Sequence, residues 1–295
     1  MRVAVSGSSG LIGSAVSKAL EEAGHEVVRL VRRAPTTDAE GQWDIAARTV
    51  DESALQDVGA IVNLAGENIG QRWTATARRR AWESRVDGTL LLAETAARLP
   101  GRPVLVCASA VGYYGFESDD LMDEGSPRGS GFLAELVEAW EAAADPARAA
   151  GLRTVHLRQG LVLSRRGGAL ERMLLPFKLG GGGRIGSGRQ WWSWVSLADA
   201  VAAYLFALDQ PLDGVYNVAA PGAVTNEEFT RELGKALHRP TVIPVPAFAV
   251  KTLFGEMADE MLLGGQRVSP AKIEAAGFTF AYPELGAALA AALED

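Results

Sequence analysis

Thirty-three residues at the N-terminus restrict this chain more than any other stretch. Arg2-Val3-Ala4-Val5 is a short apolar run that breaks into Gly7-Ser8-Ser9-Gly10-Leu11-Ile12-Gly13, the pattern of a strand ending in a glycine-rich turn. Leu11, Ile12, Ala15, Val16, Ala19 and Leu20 then recur at helical spacing, and Gly24 stands where a helix end wants a left-handed residue. Glu26 to Val31 is a β-branched run of strand length. Together they read as strand, turn, helix, strand, one crossover unit of a parallel sheet.

Each glycine has a physical use. Gly7 lets the chain bend, Gly10 lets backbone N–H groups approach a pyrophosphate, and Gly13 lets the helix pack close to the strand. With 33 glycines in 295 residues the spacing alone is weak; its place between strand and helix carries the inference. Ser8, Ser9, Leu11 and Ile12 join the glycines as expected cofactor-binding residues. A free ribose 2′-OH is usually held by Asp or Glu at the end of the second strand, whereas a 2′-phosphate wants cations. That end is Arg32-Arg33. The pair predicts NADP(H), held by charge-assisted hydrogen bonds; the alternative is that both arginines are simply solvated.

A net charge of −7 and a pI near 5.2 argue against nucleic acid or an anionic membrane as partner. Arg72, Arg78, Arg79, Arg80 and Arg85 make a short basic stretch that reads as solvated surface. There is no leader pattern and no run of eighteen uncharged apolar residues, and the lone Cys107 sits in a buried-strand setting. These features predict a soluble cytoplasmic protein. His25, His156 and His238 lie far apart, so no metal is expected.

Ala60 to Gly66 has the composition of a buried parallel strand ending in a small-residue turn. Leu64, Ala65, Gly66 and, at the next strand's exit, Ala108 are expected beside a dinucleotide, with Glu67 and Asn68 on the ligand rim. Residues 33–57 read as irregular, 75–99 and 132–144 as helices, 104–107 and 154–158 as strands, and 180–188 as a flexible connection. Alternation places Trp192 and Trp194 on one face; core packing and a ligand-stacking wall both remain open. Ser196 and Thr225 begin capped helices, 214–218 is a short strand, and 248–293 is helical with a break at 277–283.

The glycine turn, Val62 to Gly66, Gly88-Thr89, Ser109 with Tyr114-Gly115, and Trp194 to Asp199, in that order, resemble an extended short-chain dehydrogenase/reductase of the nucleotide-sugar epimerase type. Asn63 to Asn68, Trp140-Glu141-Ala142-Ala143 and Gly186-Ser187-Gly188 resemble, more narrowly, the atypical epimerase-like subgroup with a C-terminal extension. The resemblance implies an α/β fold, a Rossmann doubly wound parallel sheet with a smaller interleaved C-terminal α/β substrate domain. Residues 1–163, with about 190–220 returning, would form the NADP-binding part; 164–189 and 221–295 would form the substrate side. It also implies a small-molecule substrate and a homodimer.

The family's chemistry uses a serine and a Tyr-x-x-x-Lys pair. Ser109 fills the serine position, but Leu133 and Val137 stand where the pair should be, and Arg85 replaces an expected asparagine. Candidate replacements are Ser109 orienting a substrate carbonyl, Tyr113 or Tyr114 as proton donor with Arg85 as the nearby cation, and Glu67 as a base raised by burial against Trp73. Asn68, Arg158, Gln190, Trp192 and Trp194 are expected on the substrate side. Two readings follow: an NADP(H)-dependent oxidoreductase or epimerase working by hydride transfer, or a cofactor-binding module that has lost its chemistry and reports NADP(H).

Overall fold

The computed structural model of the chain describes residues 1–116 and 118–294; Glu117, in the acidic stretch before the 132–144 helix, and Asp295 lie outside the described residues. The opening unit is β1 (Arg2–Ser6), α1 (Leu11–Glu22) and β2 (Glu26–Val31). Gly24 takes φ +82° just beyond the helix end, a conformation that costs glycine nothing. The stretch expected to be irregular instead holds β3 (Glu40–Asp44) and β4 (Thr49–Val50), followed by β5 (Val58–Asn63). In β3 only Gly41 and Trp43 face inward, so its alternation leaves almost no apolar trace.

The long helix expected next is α2 (Ala75–Trp82) and α3 (Gly88–Arg98), joined by a wider π turn over Glu83–Asp87. Then come β6 (Val104–Ala110), β7 (Leu121–Met122), α4 (Phe132–Ala142), α5 (Asp145–Ala149), β8 (Thr154–Gln159) and β9 (Leu161–Leu163). The remainder is α6 (Gly168–Lys178), β10 (Trp191–Trp192), β11 (Trp194–Ser196), α7 (Leu197–Asp209), β12 (Gly214–Val218), β13 (Val224–Thr225) and α8 (Asn226–Leu237). The C-terminal stretch holds α9 (Ala247–Phe254), α10 (Glu256–Ala258), β14 (Arg267–Val268), α11 (Ala271–Ala275) and α12 (Leu285–Glu294). It is therefore interrupted by β14 as well as by the expected break.

Eight strands form the main sheet in the order β12-β8-β6-β5-β1-β2-β3-β4, parallel except for the β3–β4 pair. Strand residues alternate between two apolar layers. Val3, Val5, Val62, Val106 and Leu157 pack with Val16, Leu20, Ala203 and Tyr204 of α1 and α7, while Ala4, Val28, Ile61 and Leu105 pack with Leu92, Ala93 and Ala96 of α3. Burial on both faces is what a parallel sheet requires. The order reverses between β1 and β5, whose registered ends, Ser6 opposite Asn63, open the crevice in which such sheets place ligands.

Trp192 and Trp194 do share a face, and that face is core. Trp194 is completely buried, Trp192 packs edge-on against Phe229 at 5.1 Å, and both join Leu163, Leu170 and Leu289 in a third apolar cluster. The ligand-wall expectation for these two residues is corrected accordingly. The 180–188 connection is also more ordered than expected, since Asn226 accepts from the Ile185 N–H and Gly186 bonds to Val245. Ser196 and Thr225 cap α7 and α8 as the spacing predicts, Thr225 in a reciprocal capping box with Glu228. Among the described residues, no helix is long and apolar enough to cross a membrane, and no cluster of His, Cys, Asp and Glu could hold a metal ion.

Candidate active site

The first side of the crevice is backbone. Gly7 sits at φ +67°, and a Cβ there would come within 2.6 Å of the Leu64 carbonyl group; a Cβ on Gly13 would collide with the Gly7 carbonyl. These two glycines are required by the fold. Gly10 is different: its backbone is extended, and an added Cβ would meet only the Gly7 oxygen at 3.3 Å. That one tight contact asks far less of the chain than those at Gly7 and Gly13, so a glycine here also suits the close approach of a ligand. The first turn of α1 has no side-chain cap, so its N–H groups are left for an anion. Ser8 is half-buried beside this turn, Ser9 is exposed, and Leu11 and Ile12 are half-buried on α1.

Behind this turn runs a buried hydrogen-bond chain. Ser6 Oγ donates to Asn63 Oδ1 (2.6 Å), Asn63 Nδ2 donates to Thr89 Oγ1 (2.8 Å), and Trp140 Nε1 donates to the same hydroxyl (2.9 Å). The Ser6 hydroxyl also accepts from the N–H groups of Leu64 and Ala65. The β5 exit loop is thereby fixed beside the glycine turn. Ala108, in β6, is buried in the adjacent layer.

Arg32 and Arg33 do not form the matched pair the sequence suggests. Arg33 is engaged two-pronged by Glu40, at 2.9 and 2.5 Å; the hydrogen bond from Arg33 and those from Thr36 hold the Glu40 carboxyl down at about 2. The expectation that both guanidiniums receive a phosphate is corrected, since Glu40 on β3 already occupies one. Arg32 is exposed and has no hydrogen-bond or ion-pair partner among the described residues.

The second side of the crevice is made of side chains that hold one another. Ser109 Oγ, at the end of β6, donates to Glu141 Oε1 at 2.5 Å. Arg158, on β8, grips the same carboxylate through Nε (2.8 Å) and Nη2 (2.7 Å), and Nη1 donates to the Tyr114 hydroxyl (3.0 Å), which in turn donates to Asn217 Oδ1 (2.7 Å). The Arg158 guanidinium lies 3.4 Å from the Tyr113 ring centroid, and Tyr113 and Tyr114 meet edge-on. All but Tyr113 are buried. Burial pushes the Glu141 carboxyl up, but the hydrogen bonds and charge of Arg158, helped by Ser109, outweigh it and hold it below the usual carboxylate range. Burial raises the Tyr114 phenol despite Arg158.

This arrangement revises several expected roles. The Ser109 proton is committed to Glu141 rather than offered to a carbonyl. The cation beside the tyrosines is Arg158, not Arg85, which lies over the Trp140 ring at 5.2 Å and donates to the Glu67 and Ala81 carbonyls. Trp73 stacks edge-on against Phe132 at 5.1 Å, with Arg78 over both rings, and Glu67 is half-buried. Asn68 is exposed, and its side chain accepts from the Gly70 N–H. Gln190 ties the carbonyls of Ile185 and Leu262 together. Glu141 and Asn217 were absent from the expected site. Glu141 had a readable signal, a carboxylate on the mainly apolar helix that Leu136, Val137 and Trp140 anchor in the core, and Arg158 is a charge inside a strand buried at every position; two such residues call for each other.

The C-terminal stretch closes the rim. Glu260 accepts from the Phe132 and Leu133 N–H groups, both at 2.9 Å, and so caps α4, whose own N-cap is Gly131. Arg78 on α2 pairs with Glu256, and Arg72 Nη1 donates to the Thr252 carbonyl at 3.1 Å.

Residues 3–219 match the NAD dependent epimerase/dehydratase family, and residues 245–292 match a domain of unknown function, DUF1731. An epimerase family protein of Mycobacterium bovis is 48% identical over 289 residues, covering 97% of this chain and 96% of that protein. The human epimerase family protein SDR39U1 is 42% identical over 297 residues, with 98% of each chain covered. The crystal structure of its isoform 2 with NADPH superimposes over 100% of both chains, with a TM-score of 0.90 at 40% identity. A nucleoside-diphosphate sugar epimerase structure from Corynebacterium glutamicum gives 0.82 at 34% identity, covering 99% of this chain and 58% of that one. With its glycine turn intact, this chain belongs to the NAD dependent epimerase/dehydratase family, as an atypical extended short-chain dehydrogenase/reductase.

Proposed function

We propose that the protein is an NADP(H)-dependent oxidoreductase or epimerase that moves a hydride to or from a small carbonyl or hydroxyl compound. The observation that carries this reading is Gly10, where an added Cβ would meet a single protein atom, at the uncapped start of α1. The human relative solved with NADPH supports the same cofactor. The N–H groups of Leu11, Ile12 and Gly13 would hold the diphosphate, Leu64, Ala65 and Gly66 would border it, and Arg32 would receive the 2′-phosphate while Glu40 holds Arg33. When bound, the nicotinamide ring supplies or accepts the hydride.

The chain's own part is to place and protonate the substrate. Tyr113 is our candidate for the proton-transferring phenol, because its ring lies under the Arg158 charge while the Tyr114 hydroxyl is already shared between Arg158 and Asn217. Ser109 and Glu141 are positioning residues, fixing the guanidinium that both tyrosines feel. A second reading has support in the same network: side chains this fully engaged suit a module that binds NADP(H) without turnover.

Calorimetric titration with NADPH and NADH, followed by turnover assays on ketones, quinones and nucleotide sugars with wild type and Tyr113→Phe, separates the two. Turnover that drops and changes its pH profile in Tyr113→Phe supports the enzyme. Tight NADPH binding with no turnover on any substrate supports the sensor, and binding of neither nucleotide defeats both.

A further inference from the structure

Arg85 carries a charge that the protein leaves without a counter-ion. Nη1 donates to the Glu67 carbonyl at 2.9 Å and more weakly to that of Ala81 at 3.4 Å. Among the described residues no carboxylate comes within ion-pair distance, and Nε and Nη2 have no hydrogen-bond partner. Neither nitrogen is sealed from solvent. The Glu67 carboxylate attracts from further away without offsetting burial, which holds the guanidinium down at about 10. A largely buried cation in this state costs the free protein stability that an arriving anion would restore.

The unused edge is the informative one. Arg158 uses its Nε and Nη2 to clasp the Glu141 carboxylate, and Arg85 presents the same two donors with nothing in the clasp. Gly66 lies against the guanidinium, a Cβ there coming within 3.1 Å of Cζ, so the absent side chain keeps the approach clear. Gly66 is exposed and follows β5, whose end borders the reversal point of the sheet.

We infer that Arg85 receives a two-oxygen anion, a carboxylate or phosphate borne by the substrate, so that the site selects anionic substrates. This rests on the NADP(H) reading of the same crevice. The cofactor's own diphosphate has the same chemistry, and the experiment separates the two sources.

Wild type, Arg85→Lys and Arg85→Gln are titrated calorimetrically with NADPH; malonate, inorganic phosphate and neutral malonamide are then titrated into the NADPH-saturated proteins. Wild type is expected to bind malonate or phosphate but not malonamide. Arg85→Gln should weaken the anion by about tenfold, the size of one charge-assisted contact. Arg85→Lys should fall between them, keeping the charge and losing the fork, with NADPH affinity unchanged throughout. Equal anion affinity in wild type and Arg85→Gln overturns the inference, as does a wild type that binds no anion in preference to malonamide. Loss of NADPH affinity in Arg85→Gln assigns the guanidinium to the cofactor and overturns the substrate role. Should wild type fail to bind NADPH, the nucleotide reading falls, and anion titration of the free protein still decides Arg85. If thermal melting shows Arg85→Gln unfolded, the Lys variant decides: unchanged anion affinity there refutes the fork.

Discussion

At the start of α1 no side chain caps the first turn, whereas at the exit of β6 the polar groups of Ser109, Glu141, Arg158 and Tyr114 are taken up by one another and by Asn217. The first region is built from backbone and from the side chains its glycines lack. The second is built from charge held against charge under burial. A ligand can enter the first without displacing any protein contact; it can use the second only through what the network leaves at its edge, Tyr113 above all. On the proposed function, cofactor recognition and substrate chemistry would be under different physical control, steric at one wall and electrostatic at the other.

The sharpest way to break this contrast is to cut the buried pair. Arg158→Met or Glu141→Leu alone leaves an uncompensated buried charge and should lower stability by about 3–5 kcal/mol, with the double variant recovering much of it. Urea unfolding of the three proteins measures this, and single-variant losses near zero would mean the pair is not holding the wall. Next is pH. His156, fully buried on β8 with no partner for either ring nitrogen among the described residues, is pushed down by burial to about 4. Because the folded value lies below the unfolded one of about 6.5, the unfolded chain binds the extra proton between those values. The His156 contribution to stability should fall by up to about 3 kcal/mol as pH drops from 6.5 to 4 and change no further below that; His156→Phe should flatten that window in denaturation curves.

At the other wall, Gly10→Ala should lose about tenfold in NADPH affinity while its unfolding free energy stays within about 0.5 kcal/mol of wild type, since the new methyl meets little protein. Gly13→Ala provides the control, with destabilisation expected because its Cβ has no room. A Gly10→Ala protein that binds NADPH normally would remove the ligand explanation for that residue. The smallest effect expected is at the arginine pair: Arg32→Ala should shift the NADPH-to-NADH preference by several-fold, and Arg33→Ala by less, because Glu40 holds Arg33.

The steric wall was legible in the sequence because its requirements are local. Gly7, Gly10 and Gly13 answer to backbone geometry within one turn, and the strand before and helix after them announce themselves by periodicity. The parallel strands that follow, β5, β6 and β8, read just as directly from their apolar runs. The electrostatic wall was not legible in the same way. Glu141 and Arg158 are 17 positions apart on a helix and a strand that only the crossover brings together, and Asn217 reaches Tyr114 across 103 positions. The competition of Glu40 for Arg33 went unseen because β3 buries little beyond Gly41 and Trp43, so nothing placed Glu40 on a strand beside β2. Trp192 and Trp194 were ambiguous because alternation says which side chains share a face, but not what covers it.

The π turn at Glu83–Asp87 has a further consequence for how this helix can change. Such a turn holds about one residue more than ordinary helical winding requires. Removing one residue from it would leave α2 and α3 presenting their present faces, Ala81 on one side of the turn and Thr89, Leu92 and Ala96 on the other still directed into the protein. Where the residue removed is Glu83 or Ser84, ahead of Arg85, the guanidinium would be carried roughly 100° around the axis. Here the architecture and the direction of one cation can be edited independently, by length rather than by substitution.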